Sequence, residues 1–109
     1  MVSRPAVRIR AYRGGGGSSV YREHFVLGDV FARILCAAER HDLAVLSSLA
    51  QPDAEGLGKG EARKLAAELG RLRERSELPD LDGDLIAFAF VARWCSRASG
   101  KAWLTIEER

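Results

Sequence analysis

Clustered cysteine or histidine chemistry has little to draw on in this chain, which holds two cysteines, Cys36 and Cys95, and two histidines, His24 and His41. No Cys-x-x-Cys or His-x-x-x-His spacing occurs, so the ligand pattern of a four-coordinate zinc site is missing and no metal is expected. Long apolar runs are missing too. None approaches the ~18 residues of a membrane span, and the first eight residues hold no apolar stretch of the signal-peptide kind. The expected location is the cytoplasm, where both cysteines stay thiols and pack as small hydrophobes inside helices. A large excess of charge is absent as well. The net charge of +2 at pH 7 is too small to imply a nucleic-acid or membrane partner. No Gly-Lys-Ser/Thr occurs, which removes the phosphate-loop pattern, and no cofactor is expected.

What is present is enough apolar residue, 47% of 109 positions, for one globular core, and residues 1–109 read as a single domain. The clearest pattern lies at the two ends. Residues 6–13 and 102–108 alternate with period two, the mark of half-buried strands. Val7, Ile9 and Ala11 share one face of the first, and Ala102, Leu104 and Ile106 share one face of the second. Arg8 and Arg10 face outward in the first strand, Thr105 and Glu107 in the second, so antiparallel pairing sets opposite charges across the ladder. Residues 1–13 alone carry +4, with Arg4, Arg8, Arg10 and Arg13 and no acid.

Between the ends, residues 14–19 form a glycine-rich segment that reads as a flexible hairpin loop or as an engineered linker. Residues 20–26 read as a second strand with neither face cleanly apolar. Asp29 is placed as the N-cap of a helix that ends near Arg40–Asp42. The apolar run 43–46 suits a short strand covered on both faces. Residues 50–60 form a loop, and from Glu61 a helix presents Ala62, Leu65, Ala66, Leu69 and Leu72 as one stripe. Glu68 and Arg71 stand at the spacing of an ion pair. After an acidic turn, residues 85–98 are apolar over most of a helix circumference, which predicts a central buried helix. Gly100 suits a left-handed helix end. The string implies an α+β fold, a three- or four-stranded, mainly antiparallel sheet with three helices on one face.

Four groups of residues raise chemical questions. The glycine run fits two positions of a dinucleotide fingerprint, but Ser19 stands at the third and a strand follows. Asp80, Asp82 and Asp84 resemble the start of a calcium loop, yet Gly83 and Val91 stand where that loop needs other residues, so helix capping and dipole complementation explain them better. Cys36 or Cys95 as a nucleophile defines a small-enzyme alternative, disfavoured because a buried thiol is inert. Arg8, Arg10, Arg13 and Arg22, with Tyr12 and Tyr21 nearby, define a nucleic-acid alternative on the N-terminal hairpin. A solvated, charge-protected edge is the plainer explanation. The run 71–75 alternates arginine with other residues and reads as a solvated helix surface.

The segment 60–73, the Val91-Ala-Arg-Trp-Cys95 helix and the Ala102-Trp-Leu-Thr-Ile106 strand resemble small uncharacterised bacterial α+β proteins, some of which look like the immunity-type partners of toxins. The resemblance implies no catalytic residues. It implies a non-enzymatic protein-binding module, toxin-neutralising or regulatory. The expected contacts are Gln51, Asp53, Glu55 and Lys59 in the 50–60 loop and the exposed faces of the terminal strands. The partner is a protein or a second copy joined at a sheet edge.

Overall fold

The computed structural model describes residues 6–14, 19–50, 56–98 and 100–108. The terminal strands β1 (Ala6–Arg13) and the last strand (Ala102–Glu108) pair antiparallel, with Ile9 opposite Ile106 and Ala11 opposite Leu104. Their period-two apolar faces therefore coincide, and all six expected inward residues are buried. On its other side β1 pairs antiparallel with β2 (Ser19–Leu27). The register slips between Ala11 and Tyr12, which sit opposite Arg22 and Val20, so β2 carries one extra residue there. A two-residue strand, β3 (Leu57–Gly58), pairs with the last strand, β4. The sheet order is β2-β1-β4-β3, all antiparallel.

Helices α1 (Gly28–Arg40), α2 (Ala44–Ser48), α3 (Lys59–Glu74) and α4 (Asp82–Arg97) complete the α+β architecture, with a 3₁₀ turn at Pro79–Leu81 before α4. The core lies between them and the face of the sheet that carries Val7, Ile9, Ala11, Leu104 and Ile106. Helix α4 is its centre. Leu85, Phe88, Ala89, Val91, Ala92 and Cys95 are buried, α4 packs along α3, and it also touches β1, β2 and β4. The apolar stripe of α3 is buried as its spacing predicts.

The run 43–46 is not a strand. It enters helix α2, and the reason is a contact distant in sequence. The Glu68 carboxylate of α3 accepts the backbone N–H groups of Val45 (3.2 Å) and Leu46 (2.7 Å). These are two of the donors that a helix start leaves without partners. Asp42, in the left-handed region at φ 54°, makes the break from α1. Glu68 is thereby drawn away from the expected pairing with Arg71.

Three smaller expectations also change. Leu27, not Asp29, precedes α1, and the Asp29 carboxylate accepts the N–H of Val30 within the first turn. The aspartates at α4 make no side-chain cap; Asp82 and Asp84 lie in its first turn, where they still complement the helix dipole. Helix α4 is buried on one side only, because Ile86 is 46% and Phe90 57% exposed. Among the described residues no strand lies beyond β2.

Candidate interaction surface

The outer face of the sheet, opposite the helices, is built from the alternate residues of three strands. Arg10 stands between two acids. Its Nε donates to Glu23 Oε2 of β2 at 2.7 Å, and its Nη1 lies 3.2 Å from Glu107 Oε2 of β4. Arg8 lies over the Phe25 ring, 5.3 Å from its centroid, a cation–π arrangement. Tyr12 and Trp103 stack in parallel with centroids 5.5 Å apart. Arg22, on the other face of β2, lies over Phe90 of α4 at 5.9 Å. Arg13 ends β1 between Ser19 and Ala102. The hairpin arginines are thus spread over both faces, and Arg10 is neutralised by acids of the same sheet. Little free positive charge remains at the position where a phosphate backbone would lie.

The three aspartates around the start of α4 diverge, each to its own partner. Asp80 accepts both Nη atoms of Arg33, at 2.7 and 3.1 Å, and this hydrogen-bonded pairing lowers its carboxyl below the ordinary value. Asp82 accepts Arg73 Nε at 2.9 Å, and Asp84 lies 3.3 Å from His24 Nε2. His24 therefore ties β2 to α4. Among the described residues no three metal-binding side chains come together. His41 caps the end of α1 beside Arg75 and Glu77.

The two cysteines differ. Cys95 is buried in α4, and burial pushes its thiol up to about 11, with Lys59 opposing the shift weakly. Cys36 does not pack as expected; it is exposed on α1. Thiol titration of the folded protein at mildly alkaline pH should show one fast group per chain, and Cys36→Ser should remove it. Cys95 should react only with unfolding, because the thiolate is the attacking form. Two fast thiols would contradict the packing of α4.

Of the expected contact residues, Gln51, Asp53 and Glu55 lie outside the described residues. Lys59 opens α3, half-buried, directly after β3. Among the described residues four large apolar side chains are left exposed that no expectation from the sequence singled out: Phe25 and Leu27 on β2, at 48% and 47%, and Ile86 and Phe90 on α4. They flank one feature, the edge of β2 that has no neighbouring strand in the described sheet. The signal was present in the mixed faces of β2 and in the all-round apolarity of α4.

Comparison of the chain with protein-family models, curated proteins and solved structures finds no match.

Proposed function

We propose that the protein is a non-enzymatic protein-binding module that receives its partner on the edge of β2. The carrying observation is the β2 edge, unpaired in the described sheet, with Phe25 and Leu27 exposed on its outer face and Ile86 and Phe90 exposed on α4, which packs against its inner face. An edge strand offers unpaired backbone N–H and C=O groups to an added strand. Apolar side chains on either side of it supply burial to an added strand. The polar groups best suited to acid–base work are committed elsewhere, Asp80 to Arg33 and Asp82 to Arg73. The one buried thiol is protonated at neutral pH. Neutralisation of a toxin or regulation of another protein is the form of binding that the sequence resemblance suggests. Self-pairing of two β2 edges about a two-fold axis is the simplest version of the same contact.

The test compares the natural chain with a Phe25→Lys, Phe90→Lys double variant. Both positions are exposed, so the variant should fold. Sedimentation across a wide concentration range reports self-association, and affinity capture from the native cell reports other proteins. The expected result is that whichever complex forms with the natural chain is lost in the variant. A complex unaffected by both substitutions would place the docking surface elsewhere, and a chain that stays alone in both assays would end the proposal.

A further inference from the structure

A separate feature lies on the outer side of the α3–α4 pair. Arg63 and Arg71 of α3 face Arg93 and Arg97 of α4 across a groove of about 640 Å³. Its floor is made of small residues, Ala66, Ala67 and Gly70, and Glu74 is the one acid in its lining. Arginines elsewhere on the helices are held in ion pairs: Arg33 with Asp80, Arg40 with Glu77, and Arg73 with Asp82. The four in the groove make no such pair among the described residues. Glu68, the acid expected to neutralise Arg71, is instead turned to α2.

The arrangement is directional. Arg73 reaches Asp82, and Lys59 acts on Cys95, so the end of α3 lies by the start of α4 and the helices run antiparallel. Arg63 and Arg97 therefore stand at one end of the groove, with Arg93 and Arg71 further along. Eight residues of helix separate Arg63 from Arg71, ~12 Å of rise, so the charges line a track rather than converge on a point. Guanidinium groups bind phosphate oxygens in a fork, and a floor without long side chains lets an anion approach the helix backbones. No aromatic ring lines the groove, so it has no platform on which bases stack.

We propose that this groove binds a linear chain of phosphate groups, either inorganic polyphosphate or the backbone of a single-stranded nucleic acid, by charge and spacing without reading bases. It is independent of the β2 edge, and the two sites can fail separately.

The experiment measures fluorescence anisotropy of a labelled oligothymidylate with the full chain, and competition by long-chain inorganic polyphosphate. Four phosphate contacts predict a log–log salt slope near −2.8, which is about a 50-fold loss of affinity between ~50 and ~200 mM salt. Arg71→Gln with Arg93→Gln should roughly halve that slope. Lys64→Gln with Lys101→Gln removes the same charge outside the groove and should leave it nearly unchanged. Far-UV circular dichroism on both variants confirms that they fold. Displacement by polyphosphate supports the shared site; retention of both probes by the natural chain, or of polyphosphate alone, identifies the source of the phosphates. Equal losses in the two double variants, a strong preference among base sequences of equal length, or no binding of either probe at ~50 mM salt would each overturn the proposal.

Discussion

Phe88→Ala should lower the stability of the protein by about 3–5 kcal/mol, the range for truncating a buried phenylalanine. Domains of this size have roughly 5–15 kcal/mol in all, so the loss is a large share of the total stability. Phe88 is fully buried in α4, and its ring stacks on Phe31 of α1 with centroids 6.4 Å apart. It therefore joins the helix layer internally while α4 sits on β1, β2 and β4. Truncation removes the transfer free energy of the ring and leaves a cavity that a layer held from three sides cannot close. Phe88→Leu keeps most of the volume and should cost appreciably less. Urea denaturation checks both, and the midpoint should fall for Phe88→Ala with the slope unchanged. A loss under ~1 kcal/mol would mean that the site collapses freely, contrary to this packing.

The same helix shows where the sequence was legible and where it was not. Alternation in β1 and β4 named their buried faces correctly, because period two is set by the strand itself and needs no knowledge of neighbours. The stripe of α3 was legible for the same reason. The apolarity of α4 predicts full burial, but how far a helix is covered depends on what flanks it, and among the described residues no strand lies beyond β2. The run 43–46 was ambiguous because four apolar residues fit a strand or a helix, and Glu68, which decides it, stands 22 residues after Leu46. For the hairpin arginines the sequence supports a solvated, charge-protected edge over a basic nucleic-acid surface, and opposite charges across β1 and β4. The pairing of Arg10 with Glu107 meets that expectation, whereas its second acid, Glu23, follows from the register of β1 with β2, which composition does not reveal. The run 71–75 was read as ordinary solvated surface. Its neighbours Arg93 and Arg97 lie beyond an acidic turn, and only antiparallel packing of α3 and α4 makes one groove of the four arginines. Within each segment, Arg63 and Arg71 stand eight residues apart and Arg93 and Arg97 four apart, near two turns and one turn of helix, and that spacing is the available signal.

Two glycines with nearly the same backbone separate conformational strain from steric exclusion. Gly56 has φ 79° and Gly100 φ 75°, both in the left-handed region that side chains disfavour by ~1–2 kcal/mol. At Gly100 an added Cβ meets nothing within 4 Å, whereas at Gly56 it falls 2.5 Å from the Leu104 carbonyl oxygen and 3.2 Å from Thr105 Cγ2. Leu104 lies between β1 and β3 and is fully buried, so its backbone is held from both sides and the Gly56 segment must give way. Gly100→Ala should therefore cost only the strain, about 1 kcal/mol. Gly56→Ala should cost about 3 kcal/mol or more, because moving away from Leu104 also loosens Leu57, the buried residue of β3. Asn tolerates the left-handed region better than Ala, so Gly100→Asn should be nearly neutral while Gly56→Asn remains as damaging as Gly56→Ala. Urea midpoints of the four variants measure this directly. Amide exchange should show the Gly56 variants opening first at β3 and at the start of α3, where Lys59 lies. Equal losses at the two glycines would mean that backbone strain alone sets the cost and that β3 does not rest on β4 as closely as this geometry requires.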